Sequence, residues 1–466
     1  MKRKERFAPS GVEVEYVGGL NEEVTGHAGV SLVVEVVRRS GVLAVADRVM
    51  PGKKNPKGLS QGQMVESVVV HSTLGGECMD DMQVLRQDRG LAAILGYEMP
   101  APSTLRSWLE QYHDEDALTG RPQQGSFIPQ ESPRLAGLAA IVARSVRSYV
   151  AEVKPPRQVT LDVDAHLVES SKREALPTYE GYRGFQPLVV VWAETRLILA
   201  DQFRDGNVPA SVGIADLVDV AYATLPARAD GWEVRVRSDT AAYEEKNLAR
   251  WSALGWKFAV GADMSMQLRQ AVDKLRIEDW RPWQVEPDGF VREWAEVDFV
   301  PGRKAERRDG QPYRYLAIRV RSPQGRLFSD GVGVKIFAVV TNDWETPGRQ
   351  LLEWQRGKAG TVETAHRVLK DELAAGVYPS AKFGANAAWL RLQVLTSNLL
   401  TLLSATALDE DYRHARPKRL RFAIFEHVGT VVSRTGQVVI KVISRVLEEV
   451  IGPGLRRLRR LAWQAA

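Results

Sequence analysis

The stretch that most constrains this chain is Gln158–Glu169, QVTLDVDAHLVE. Val159, Leu161 and Val163 alternate with Thr160, Asp162 and Asp164, the period-two pattern of a strand with one apolar and one polar face. Two carboxylates at i and i+2 then point the same way, about 7 Å apart along the strand. Like charges held side by side cost free energy unless a cation shares them, and a divalent metal is the obvious candidate. A strand edge whose polar face is only solvated is the simpler reading of a lone DxD, so the carboxylates further along the chain decide between the two.

At 466 residues the chain is too long for one ordinary core, and two or three domains are expected. Its 63 basic and 58 acidic side chains leave a net charge of +5, so local clustering matters more than the sum. A single cysteine, Cys78, excludes an internal disulfide and a cysteine-built zinc site, which fits a reducing cytoplasm. No apolar run reaches the roughly 18 residues of a membrane span, and the start MKRKERF lacks an apolar segment after its charges. Neither membrane nor signal peptide is expected.

Residues 1–130 read as a helical, DNA-binding domain. Met1–Asn21 is polar and glycine-containing, an irregular arm with a basic start. Helical spacing begins near Thr25 (Val30, Val33, Val34, Val37) and returns around Gln61–Leu74 and Asp80–Arg86, after the basic loop Pro51–Gly58. Pro102–Tyr112 opens with proline and serine, and its apolar stripe of Leu105, Trp108, Leu109 and Tyr112 leaves Arg106 and Ser107 outside. That is the pattern of the second helix of a helix-turn-helix, with Arg106 a candidate DNA contact, or of an ordinary helical bundle. Thr119–Pro133 reads as a linker.

Residues 131–278 carry a helix near Leu135–Val153 and then three strands in succession, followed by helix, strand, helix, strand: a mixed α/β sheet. Asp164 and Asp239 fall at or near the ends of two of those strands. Carboxylates converging from separate strand ends are what metal-assisted phosphoryl chemistry requires. From 279 to 345 the texture changes to short strands and turns, a β-rich insertion holding Trp280, Trp283 and Trp294 and a basic loop of Arg303, Lys304, Arg307 and Arg308. Such aromatics fill small cores more often than they stack on bases; Trp294 is the candidate DNA contact among them. In 346–405 helices return. Glu363, His366 and Lys370 stand at i, i+3 and i+7 on one helix face, readable as an exposed polar stripe or as part of a site. Residues 406–466 form a basic helical region ending in Leu455–Leu461, where leucines alternate with paired arginines.

The ordered set of segments resembles the DDE transposases of bacterial insertion sequences. More narrowly, it is similar to the cut-and-paste group whose ribonuclease H-like domain is interrupted by a β-rich insertion before the glutamate. The matching segments are TGHAGVSLVVE from Thr25, GECMDDMQVLR from Gly76, PSTLRSWL from Pro102, LDVDAHLVES from Leu161, GYRGFQPL from Gly181, FRDGNVPA from Phe203, RSDTAAY from Arg237, VTN from Val340, ETAHRVLKDEL from Glu363 and FGANAAWLRLQVLTSNLL from Phe383. They run from about Thr25 to Leu400 in the family's order.

By this resemblance the catalytic carboxylates are Asp164, Asp239 and Glu363, with Asp162 a further candidate metal ligand. The family places a hydroxyl residue two after the first aspartate, and here His166 stands there. Its glutamate helix carries a tyrosine, an arginine, the glutamate and a lysine. Lys370 keeps the last of these, the arginine's position is Ala359 with Lys358 and Arg356 close by, and Trp354 lies near the tyrosine's place. Lys370, Lys358, Arg356 and His366 are therefore candidate phosphate contacts, His366 being equally readable as a packing residue. The resemblance implies an α/β ribonuclease H-like sheet, two Mg²⁺ or Mn²⁺ ions, double-stranded DNA (inverted-repeat ends and target) and a homodimer on paired ends. It also implies a cytoplasmic enzyme that cleaves and joins strands, with excision through hairpinned ends. A nuclease of the same fold that never joins strands, or an inactive transposase-derived DNA-binding protein, are the alternatives. Neither GxGxxG nor a P-loop occurs.

Overall fold

The computed structural model describes residues 23–50, 58–122, 125–226, 231–301, 312–323, 328, 331–432 and 437–463 in full, and the backbone of 4–7, 14–17, 433 and 434. Among the described residues, nine strands form one mixed sheet. In chain order they are β1 (Gln158–Ala165), β2 (Leu188–Trp192), β3 (Leu197–Gln202), β4 (Glu233–Ser238), β5 (Lys257–Ala262), β6 (Arg281–Val285), β7 (Val291–Val297), β8 (Arg314–Arg321) and β9 (Val334–Thr341). Their order in the sheet is β6-β7-β8-β9-β5-β4-β1-β2-β3.

The first half is a meander, β1-β2-β3, extended by helical crossovers. β4 lies parallel to β1 and β5 parallel to β4, as strands joined through the helices Ile214–Thr224 and Glu245–Ala253 should. The alternation in β1 suggested one solvated face. Instead Val159, Leu161, Val163 and Asp162 are all 0% exposed, because helices cover both faces of this central strand. The second half, β6 to β9, covers the segment expected to be an insertion. It does not fold apart: β9 pairs antiparallel with β5, so the inserted strands lengthen the central sheet.

Phe383–Thr406 is mostly apolar and buried on nearly every side, its Asn386, Arg391, Gln393 and Asn398 included. It packs on the helix Pro133–Val153, on β3 and on the N-terminal helices Ser31–Arg39 and Gln61–Thr73. One apolar cluster consequently runs from Val30 to Leu458. The chain ends also meet, since Glu23–Thr25 pairs with Gly429–Arg434.

Several expectations are corrected. Lys4–Phe7 and Val14–Val17 form an antiparallel ladder where an irregular arm was expected. The C-terminal region is not wholly helical: Gly429–Arg434 and Gln437–Lys441 make a hairpin, in keeping with the β-branched residues there. The polar loop after β1 holds a small sheet of Val168–Glu169, Leu176–Pro177 and Arg183–Phe185. The loop of Arg303, Lys304, Arg307 and Arg308 lies outside the described residues, as does most of Pro51–Gly58. Among the described residues no helix is long and apolar enough to cross a membrane.

Candidate active site

β1 and β4 run side by side with Asp162 directly opposite Arg237. Two residues on, at the carboxyl ends of these strands, come Asp164 and Asp239. The third carboxylate, Glu363, sits in the first turn of the helix Val362–Glu372. The three are brought within electrostatic reach. Burial pushes the Asp164 carboxyl above the ordinary carboxylate value, Lys358 pulls it back, and the charges of Asp239 and Glu363 push it further up. Asp239 and Glu363 are themselves exposed, Asp239 accepting a hydrogen bond from the Ala241 N–H at 3.1 Å.

Asp162 is engaged elsewhere. The Arg237 guanidinium donates through Nε to Oδ1 at 2.6 Å and through Nη2 to Oδ2 at 2.7 Å, and the Thr361 hydroxyl donates to Oδ2 as well. Arg237 also donates to the Trp354 carbonyl and lies under the Trp354 ring, 5.3 Å from its centroid. Any side chain at Gly357 would meet Arg237 Nη1 at 2.7 Å, so the turn there is closed onto the guanidinium. Both carboxylate oxygens of Asp162 are thus taken up within the protein. This makes Asp162 and Arg237 a clamp behind the site, joining the two aspartate-bearing strands to the connection that leads into the Glu363 helix.

Lys358, on the short 3₁₀ turn Gly357–Gly360, is 9% exposed and donates from Nζ to Asp164 Oδ1 at 3.0 Å. Arg356, its rival for the arginine's role, turns away. It donates to Gln284 at 3.0 Å and Glu286 at 3.2 Å and lies over the Trp283 ring, tied to the insertion. Lys370 is exposed, and its charge reaches His166.

Two candidate DNA contacts lie buried in this structure. His366 is 7% exposed and stacks on His166 with ring centroids 4.1 Å apart, its Nε2 3.6 Å from Asp164 Oδ2. Burial depresses both imidazoles, His166 to about 4 and His366 well below its ordinary value, so they are neutral and pack together. Trp294 is 5% exposed in the insertion's own core, beside Gly348, where a Cβ would lie 2.3 Å from its ring. Arg281 caps its face at 4.9 Å. Arg106 projects outward from Pro102–Glu110, as its spacing predicts, with Leu105, Trp108 and Leu109 buried.

Sequence reasoning missed the clamp, Thr361 and the histidine stack. The first had a signal. Arg237 stands two residues before Asp239 as Asp162 stands two before Asp164, and in-register parallel strands pair those positions.

The carboxylate oxygens of Asp164, Asp239 and Glu363 are hard donors that suit a hard divalent cation in kind. Among the described residues, however, no three His, Cys, Asp or Glu side chains are drawn together closely enough to hold one, and the Lys358 ammonium stands where neutralising charge is needed.

The fold and site thus define a mixed α/β protein with carboxylates converging from two strand ends and a helix. Residues 8–463 match the family described as "Transposase DDE domain group 1", and the chain belongs to that family. No curated protein matches it. Among solved structures it is similar to a piggyBac transposase in a synaptic complex with hairpin DNA, at 10% identity and a TM-score of 0.44, over 84% of this chain and 77% of that one.

Proposed function

We propose that this transposase works by cut-and-paste, cleaving DNA at the inverted-repeat ends of its element and joining the freed 3′ hydroxyl to target DNA, with Asp164, Asp239 and Glu363 as catalytic carboxylates. The strand order β3-β2-β1-β4-β5, with β1, β4 and β5 parallel, supports a ribonuclease H-like reading of the sheet. The observation that carries the proposal is the placement of those three carboxylates at the ends of the paired strands β1 and β4 and in the first turn of the Glu363 helix.

In this reading the same three residues, which stand too far apart here to hold a cation, would close on two Mg²⁺ or Mn²⁺ ions. Such a pair supplies a water of lowered pKa and stabilises the attacking and leaving oxygens of an in-line displacement. The chain's own contribution is placement. The clamp of Asp162 and Arg237 fixes the spacing of the two strands, so that Asp164 and Asp239 face one space. Lys358, 3.0 Å from Asp164 Oδ1, would grip a phosphate oxygen, and Lys370 would offer a second, exposed contact. In this reading Lys358 takes the part of the arginine missing at Ala359. The helix Pro102–Glu110, with Arg106 outward, reads the DNA ends, and the enzyme works as a homodimer on paired ends in the cytoplasm. Hairpinned ends are the excision intermediate.

The test is excision of a plasmid-borne element by the full chain with Mg²⁺ or Mn²⁺, beside Asp239→Asn. Excision and joined products from wild type alone, with DNA binding retained by the variant, are expected. Cut ends that are never joined would leave a nuclease; binding without cleavage by either protein would leave an inactive DNA-binding descendant. Denaturing gels that show no hairpin-length product would remove the hairpin step.

A further inference from the structure

On the flank of the Glu363 helix opens a pocket of about 100 Å³, bounded by Arg196, Thr364, Ser404, Arg413 and His414 and reaching Thr361. Its lining is basic on balance: Arg196 and Arg413 form no ion pair among the described residues, Arg416 is paired with an acid, and Glu194 is the one carboxylate among the lining residues. Glu194, at the rim, accepts from the Thr160 N–H at 2.9 Å and the Thr160 hydroxyl at 2.6 Å, and Arg416 pairs with Glu372 at 3.2 Å. The Ser404 hydroxyl is buried and unpartnered. His414 is held below its ordinary value by burial and by the two arginines, with Glu410 opposing them, which places all three bases in one field.

Arg196 adds an independent sign. It closes the turn between β2 and β3 with φ of 63°, the left-handed conformation that glycine takes readily and a side chain with Cβ takes at a cost. An arginine there is poorly explained by the turn and well explained by use of its side chain. The pocket also borders the clamp behind the site already described. Thr361 lines it and donates to Asp162, and Thr364 follows Glu363 on the same helix.

We propose that this pocket grips a backbone phosphate of the DNA strand that passes through the active site, Arg196 and Arg413 supplying the fork donors and the Thr364 and Ser404 hydroxyls the remaining hydrogen bonds. The inference rests on the DNA-cleaving reading above and extends it to a second phosphate contact. It also states why the tight turn carries an arginine.

Salt-dependent binding of the full chain to double-stranded DNA, read by fluorescence anisotropy, tests it with Arg196→Gly, Arg413→Ala and the double variant. Loss of one phosphate contact shrinks the slope of log K against log salt by about one and weakens binding roughly tenfold near 0.1 M salt. Arg196→Gly is expected to keep or raise the melting temperature while weakening DNA binding, opposite signs that a merely structural arginine does not give. An unchanged slope in the double variant overturns the proposal. So does a site for free anion alone, seen if inorganic phosphate raises the wild-type melting temperature, fails to do so in the double variant, and the DNA slope stays the same. If wild type does not bind DNA, the transposase reading itself fails, and the wild-type arm separates that outcome from failure of the pocket.

Discussion

Two carboxylates two residues apart on one strand meet two cations, and the contacts differ in kind. Asp162 is fully buried and taken by a planar guanidinium through two parallel hydrogen bonds, with a hydroxyl and an aromatic face closing around the pair. Asp164 keeps 17% of its side chain exposed and meets a single ammonium at one oxygen. A fork satisfies a carboxylate in a fixed geometry, whereas an ammonium is a point charge on a flexible stem. The inner contact is built to hold and the outer one to be exchanged. The difference teaches where, within one DxD, structure ends and chemistry begins.

The largest effect is expected from breaking the inner contact. Arg237→Met leaves Asp162 as an uncompensated buried charge and should cost about 3–5 kcal/mol, read by denaturant unfolding. Pairing it with Asp162→Leu removes that charge and should recover a large part of the loss. A single variant that costs less than about 1 kcal/mol would sink the clamp.

Next in size is the response of the outer contact to metal. Mn²⁺ at about 100 times its dissociation constant stabilises a protein that binds it only when folded by about 2.7 kcal/mol. The cation needs Asp164 ionised, and Asp164 is held above its ordinary value of 3.8. The increment should therefore be lost as pH falls through that raised value, earlier than for an ordinary aspartate. Asp164→Asn should abolish it. An increment that survives in the variant would mean that the ion binds elsewhere.

A smaller effect isolates the hydroxyl. Thr361→Val keeps the shape and removes one donor from an Asp162 that retains both guanidinium bonds, for an expected cost of about 1–2 kcal/mol. Because Thr361 also joins the clamp to the Glu363 helix, cleavage should fall more than stability does. Equal, small losses in both would make Thr361 a packing residue.

Much of this was legible in the sequence because alternation and helical spacing are local signals. The strands that carry Asp164 and Asp239, the helix of Glu363 and the insertion stand close to where their patterns predict. What was not legible depends on register and on distance along the chain. That Asp162 meets Arg237 follows only from the pairing of β1 with β4, and a shift of one residue would send both to other faces. That His366 turns inward while Glu363 and Lys370 stay exposed follows from His166 lying opposite it, which helical spacing cannot supply. The valine-rich stretch near Val431 and Val439 reads equally as buried helix or strand, and its partner, Glu23–Thr25, lies at the other end of the chain.

The finest test of the comparison is Lys358→Met. In the inner contact, deleting the cation strands a charge that water cannot reach. In the outer one it strands a carboxylate that water does reach, and a near-isosteric apolar chain replaces a buried ammonium, so stability should change by less than about 1 kcal/mol. The informative quantity is metal affinity, measured by calorimetry on the DNA-free protein. An ammonium 3.0 Å from Asp164 competes with any cation for that oxygen, so its removal should tighten Mn²⁺ binding severalfold while DNA cleavage falls, since the phosphate grip is gone. Arg237→Met should move metal affinity the other way, because the two strands lose their common spacing. Opposite signs from two cation deletions, two residues apart in what they touch, would separate an exchangeable contact from a fixed one. Equal signs would mean that Lys358 is as structural as Arg237.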